Sequence, residues 1–278
     1  MRLFVSSTLC LITAALAAAE PKIQRDVAYA EPKTERRTLD VYAPADGKDH
    51  PVVVWIHGGG WRAGDKRGVQ QKPQAFVEKG YVFVSINYRF VPQVTVKEMT
   101  GDVAKAIRWV HDHAQDFGGK PDSIFVMGHS AGAHLAALVC TDDRYLKAEG
   151  LSMSILKGCV PVDTAAYDVP KRFEGVGPPG AAKATDIFTA DAATHRDLSP
   201  ALHLAKGKSI PPFLILHVAD RADSKAQSEL FAAEKAADIA AEVVPAAGKT
   251  HGTINSEIGL PGDKPTESLF AFVARRSK

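Results

Sequence analysis

Residues 128–132 read Gly-His-Ser-Ala-Gly, and the segments on either side decide what that pentapeptide can be. Before it, Ser123-Ile-Phe-Val-Met127 is short, apolar and partly β-branched, the composition of a buried strand. After it, Ala131 to Cys140 is rich in Ala and Leu and predicts a helix. A serine between strand and helix, with glycine two positions away on each side, predicts a sharp turn. That turn forces the serine backbone into a sparsely populated conformation and leaves no room for side chains at 128 and 132. It also presents the Ser130 hydroxyl beside a helix N-terminus, where negative charge is favoured. The same letters in an ordinary glycine-containing loop would lack these flanking elements.

Around this turn the chain alternates strand and helix. Arg37-Thr-Leu-Asp-Val-Tyr42 reads as part of an opening pair of strands over residues 21–50. Val52-Val-Val-Trp-Ile56 and Tyr81-Val-Phe-Val-Ser-Ile86 are continuous apolar runs, the mark of strands covered on both faces. Ile155–Val160, Phe213–Val218 and Glu242–Val244 follow as later strands. Helices are predicted at Gln71–Lys79, Asp102–Phe117, Ser224–Ala240 and Thr266–Ala274; in the second of these, Val103, Ala106, Ile107 and Val110 share one face. This rhythm predicts an α/β fold with a doubly wound, mostly parallel central sheet flanked by helices. The chain has 278 residues, enough for one such domain, and no composition break or repeat divides it. Between residues 161 and 212 the periodicity weakens, and Val176-Gly-Pro-Pro-Gly180 interrupts it. A structureless loop of that length is uncommon inside a domain, so the segment is expected to form a cap over the sheet, with short helices near 184–189 and 200–205.

Residues 1–19 stand apart. Arg2, the apolar stretch Leu3–Leu16 and the small residues Ala17-Ala-Ala19 have the layout of a cleavable signal peptide, with the cut expected after Ala19. The apolar run is short for a spanning helix, and no basic stop follows it. The mature chain from residue 20 is therefore expected to be secreted or periplasmic, with no membrane partner. Charged residues make up 24% of the chain and the formal net charge is +2, a balance that gives a nucleic-acid partner no footing. Cys10 leaves with the signal; Cys140 and Cys159 remain, and whether they pair is open.

A serine hydroxyl becomes a useful nucleophile only with a base, and the base needs an orienting carboxylate. In this architecture the expected chain order is Ser, acid, His, with each residue beyond the C-terminal end of a strand. His251 follows the strand at 242–244 and is the expected base. Asp220 and Asp223 both follow the strand at 213–218; Asp220 is nearer the strand end, while Asp223 is placed to cap the next helix. The negative oxygen of a tetrahedral intermediate needs backbone N–H donors. Ala131 offers one, and His57-Gly-Gly-Gly-Trp61, after an early buried strand, offers Gly59 and Gly60. His57 is expected to hold that loop, with Trp61 and His129 walling the substrate pocket. Arg89 is expected to pair with Asp102, and His134 to be packed or hydrogen-bonded. His111 and His113 are two apart on a helix and do not face each other, and no metal-ligand motif appears, so neither metal nor cofactor is expected.

Taken together, His57-Gly-Gly-Gly-Trp61, Asn87-Tyr-Arg89, Gly128-His-Ser-Ala-Gly132, His134-Leu135, Gln227-Ser228 and Thr250-His-Gly252 resemble the α/β-hydrolase superfamily. The resemblance is to its carboxylesterase/lipase-like members, which include hormone-sensitive-lipase-like and feruloyl/acetyl-xylan-type esterases, with arylformamidases as relatives. It spans about residues 35–275 and implies a Ser130–Asp220–His251 triad, the spacing before Gln227-Ser228 favouring Asp220 over Asp223. Two departures stand out: Ala133 where many relatives carry a third glycine, and Phe90-Val-Pro92 in place of the Leu-Ala-Pro-Glu of the lipase-like branch. The resemblance implies hydrolysis of a small-molecule or polysaccharide-linked ester through an acyl-enzyme. The rival expectations are an amide hydrolase of arylformamidase or peptidase type, and a non-catalytic binding protein on the same fold.

Overall fold

The computed structural model describes residues 20–174, 185–234 and 239–277. The expected signal peptide and Val176–Gly180 lie outside them. Eight strands form one sheet: β1 (Lys22–Ala28), β2 (Thr38–Ala43), β3 (His50–Ile56), β4 (Val82–Ile86), β5 (Gly119–His129), β6 (Leu156–Val162), β7 (Phe213–Val218) and β8 (Ala241–Ala246). Their order is β1-β2-β4-β3-β5-β6-β7-β8. The β1–β2 and β2–β4 pairs are antiparallel, and every pair from β4 through β8 is parallel.

The apolar strand runs divide their side chains between two cores, as a period of two requires. Val52, Val54 and Ile56 of β3 join Val103 and Ile107 of helix α2 (Val96–His113) and Leu135 and Leu138 of helix α3 (Ala131–Thr141) on one face. Val53 and Trp55 join Phe76 of helix α1 (Lys72–Glu78) and Leu269 and Phe272 of the closing helix Lys264–Arg276 on the other.

Helix α2 begins at Val96, six positions before the expected Asp102. Gly101 lowers helix propensity locally, but a capping box outweighs it. Thr95 Oγ1 accepts from the Glu98 amide at 3.2 Å, and Glu98 Oε2 accepts from the Thr95 amide at 2.8 Å. The helix expected to run to Ala240 is Ala222–Ala233 among the described residues. In the segment 161–212 short helical pieces stand at 185–188, Ala192–Asp197 and Pro200–His203.

Register places the chemistry. Ile56 of β3 pairs with Gly128 of β5, and His129 of β5 with Val162 of β6. The C-terminal ends of these three strands therefore lie side by side, with β7 and β8 continuing the edge. Behind it, Arg89 grips the buried Asp102 with two bonds, Nε to Oδ2 at 2.7 Å and Nη2 to Oδ1 at 2.8 Å. Arg89→Ala would leave that carboxylate with the Arg37 Nε at 3.6 Å as its remaining cation. The expected cost is about 3 kcal/mol, read by urea unfolding; a change within about 0.5 kcal/mol, the level of an ordinary surface substitution, would mean the pair does not support the fold.

Candidate active site

Ser130 has φ 56° and ψ −117°, the strained backbone its sequence context predicts. The neighbouring glycines are required sterically. A Cβ at Gly128 would lie 2.3 Å from the Gly132 carbonyl oxygen, and a Cβ at Gly132 would lie 2.2 Å from that of Ile56. The Ser130 amide donates to the carbonyl of Val162 at the end of β6, at 2.9 Å.

Ser130 Oγ stands 3.0 Å from Nε2 of His251. On the other side of the ring, Nδ1 lies 2.5 Å from Oδ2 of Asp163. A carboxylate oxygen that close requires a proton on Nδ1, which leaves the Nε2 lone pair for the serine hydroxyl. The carboxylate that meets His251 thus belongs to Asp163, and the expected Asp220 is corrected. Asp220 is exposed in the turn after β7 and makes no bond to His251. Asp163 instead follows β6 directly, and β6 runs beside the strand that ends in Ser130. Its own backbone is left-handed, with φ 52°. Its amide donates to Leu216 at 2.7 Å and its Oδ1 accepts from the Val218 amide at 3.1 Å, so the end of β7 fixes it through both backbone and side chain. Burial alone would raise its pKa; bonds from His251, Ser224, Val218 and Arg221 outweigh that and hold the carboxyl well below the usual carboxylate range. Asp223, the other aspartate considered for this role, pairs with Arg221 instead, its Oδ1 lying 2.9 Å from Nε.

The loop at 57–61 passes against the serine. A Cβ at Gly58 would come within 3.2 Å of the Ser130 Cβ. Gly59 (φ 127°) and Gly60 (φ 60°) both require the left-handed region, and a Cβ at Gly59 would strike the Ala63 carbonyl at 2.0 Å. The Gly59 carbonyl accepts from Arg62 and Ala63, which closes the turn. Among the described residues the N–H groups of Gly59, Gly60 and Ala131 have no hydrogen-bond partner. His57 holds the loop as expected: Nδ1 donates to the Gly58 carbonyl at 2.7 Å, the ring stacks on Tyr88, and the Tyr88 hydroxyl donates to the His57 carbonyl at 2.9 Å. Burial brings His57 down to about 4, so the ring is neutral.

Trp61 lines a cavity of about 880 Å³ with Gly60, Ala165, Arg172, Phe173 and Phe188. Its indole N–H donates to Nδ1 of His134 at 3.4 Å, and Nε2 of that buried ring donates to the Leu198 carbonyl at 2.8 Å. His129, expected beside Trp61, does not line the cavity. Its ring packs on that of His251 at 4.5 Å between centroids, and its Nε2 donates to the His251 carbonyl at 2.8 Å. It supports the histidine loop because its position in β5 aims it toward that loop. Cys140 and Cys159 are buried free thiols. No group of metal-binding side chains occurs among the described residues.

Comparison with known proteins agrees with this architecture. Residues 39–159 match the BD-FAE family. The probable carboxylic ester hydrolase LipM of Mycobacterium tuberculosis is 33% identical over 177 residues, 60% of this chain and 40% of its own length. The isoprenylcysteine alpha-carbonyl methylesterase ICME of Arabidopsis thaliana is 28% identical over 90% of this chain and 60% of its own. The chain thus spans about half the length of these relatives. A truncated carbohydrate esterase from gut microbiota superposes with a TM-score of 0.74 at 21% identity, covering 95% of this chain and 98% of that one. The fold is that of the α/β-hydrolases. Within it, the resemblance is to the carboxylesterase-like members.

The geometry separates two aspartates experimentally. Asp163→Asn is expected to lose the far-downfield His251 Nδ1–H resonance in the proton NMR spectrum, because the amide no longer offers a carboxylate to that proton, while Asp220→Asn keeps it. Equal losses, or a loss in Asp220→Asn alone, would contradict the arrangement.

Proposed function

We propose that the chain is a serine carboxylic-ester hydrolase working through Ser130, His251 and Asp163. The reading rests on one observation, the unbroken hydrogen-bonded line from Ser130 Oγ through His251 to the Asp163 carboxylate. In the first half-reaction Nε2 of His251 takes the hydroxyl proton as Oγ attacks the ester carbonyl. The Nδ1–H bond to Asp163 stabilises the imidazolium that forms. The N–H groups of Gly59, Gly60 and Ala131 receive the oxyanion. His251 then protonates the departing alcohol, and water, activated by the same nitrogen, hydrolyses the acyl-enzyme.

The cavity beside Trp61, walled by Phe173 and Phe188, suits a short-chain or aryl ester, or an acetyl or feruloyl group carried on a polysaccharide. Relatives described as a carboxylic ester hydrolase and a methylesterase support the ester reading. The layout of residues 1–19 supports export before the enzyme meets its substrate.

Fluorophosphonate labelling is expected to modify Ser130 in the native protein and to fail on Ser130→Ala. The labelled protein should lose its activity on p-nitrophenyl esters. A parent that is not labelled, or a Ser130→Ala variant labelled equally, would end this reading. Assay of graded p-nitrophenyl esters beside acetylated xylan, methyl ferulate and a peptide amide then ranks the substrate classes; a preference for the amide would reverse the assignment.

A further inference from the structure

The turn after β7 carries a cation to the triad where the sequence leads one to expect the acid. Arg221 Nη1 lies 2.8 Å from Asp163 Oδ2, the same oxygen that accepts from His251, and 2.8 Å from His251 Nδ1 itself. Because Nδ1 bears the proton shared with Asp163, this last contact brings two donors together, and the carboxylate oxygen between them holds it. Nη1 also reaches the Asp163 carbonyl at 3.3 Å. The rest of the guanidinium is clamped by Asp223, Nε to Oδ1 at 2.9 Å and Nη2 to Oδ2 at 3.1 Å. Arg221 is half-buried, so it cannot swing freely into solvent.

We propose that Arg221 is a positioning residue for the triad: it fixes the Asp163 carboxylate and, standing beside Nδ1, offsets the pull of Asp163 toward a positively charged His251. The proposal rests in part on the ester-hydrolase reading above. An aspartate alone against the imidazole would favour the imidazolium in the resting enzyme, and a protonated His251 is not a base. A guanidinium at the same oxygen opposes that charge. Asp223 sets how strongly it does so.

The other charges around His251 are accounted for. His129, from β5, faces the ring and is brought down to about 4 by burial and by His251, so it is neutral. Lys249, on the histidine's own loop, is held by Glu257 and Asp263. Lys72, from α1, donates to the Asn255 carbonyl and to Gln70, and burial lowers it to about 7. Arg172 stands close enough to Arg221 to add to the positive field, with its Nη1 on the Ala165 carbonyl.

The test compares the parent with Arg221→Gln, Arg221→Lys and Asp223→Asn at low ionic strength, where the field is least screened. Two readouts are taken: the acidic limb of kcat/KM on p-nitrophenyl acetate, and the His251 imidazole midpoint by NMR, which needs no substrate. In Arg221→Gln both are expected to rise by about half to one pH unit. Arg221→Lys, which keeps the charge, should restore them toward the parent. Asp223→Asn removes a compensating anion, so both should fall. Damage of a merely structural kind would lower the rate equally at every pH and leave the midpoint in place, and that result overturns the proposal. Equal shifts in the Gln and Lys variants overturn it too. If Arg221→Gln does not fold, Asp223→Asn keeps Arg221 in place and decides by its sign alone, an unmoved or raised midpoint sinking the idea. Should no ester be turned over, the ester reading fails while the NMR midpoints still judge Arg221.

Discussion

A single oxygen atom organises the site. Oδ2 of Asp163 receives the His251 ring at 2.5 Å and the Arg221 guanidinium at 2.8 Å, and the residue that carries it is anchored by backbone bonds to the strand alongside. Both Asp163 and Ser130 occupy backbone conformations that cost on the order of 1–3 kcal/mol each. They persist because each sits at the end of a strand whose neighbours on both sides are already fixed by register and by cores on both sheet faces. The two are also tied together, since the Ser130 amide bonds the carbonyl of the residue before Asp163. Strain at Ser130 and strain at Asp163 are thus held by one stretch of ladder.

The histidines show how burial assigns roles. His57, His129 and His134 are each brought down to about 4 by desolvation and stay neutral, and each spends one ring nitrogen on a backbone carbonyl. The side chain of His251 is 44% exposed and faces a carboxylate on one side and a hydroxyl on the other. Solvent access and polar partners at both ring nitrogens set this ring apart from the three that hold loops in place.

Much of this was legible in the chain. The elbow is written in two glycines and the segments around them, the oxyanion loop in three glycines after an apolar run, and the Arg89–Asp102 pair in a strand end facing a helix. The acid was not. A rule of order along the chain cannot tell which of two adjacent parallel strands delivers a side chain to His251, because β6 and β7 end side by side. Asp163 stands three residues past the strand expected at 155–160, inside the aperiodic segment, and that segment hides it. The start of helix α2 is hidden for a similar reason: Gly101 resembles a boundary, while the capping box that starts the helix lies upstream of it. The role of His129 depends on the direction of a side chain at the last position of a strand, which apolar periodicity does not fix.

His134 joins three parts of the molecule that the sequence keeps far apart. It sits in the elbow helix, accepts from the indole N–H of Trp61 in the glycine loop, and donates to the carbonyl of Leu198, just before the helical turn Pro200–His203. With no charge of its own to exchange with solvent, it works as a rivet between these pieces. The stretch around Leu198 is therefore not an interchangeable part. A chimera that imported it from a structural relative would have to bring along matching residues at 61 and 134, or the glycine loop would lose its alignment with Ser130 even though Ser130, His251 and Asp163 remained in place.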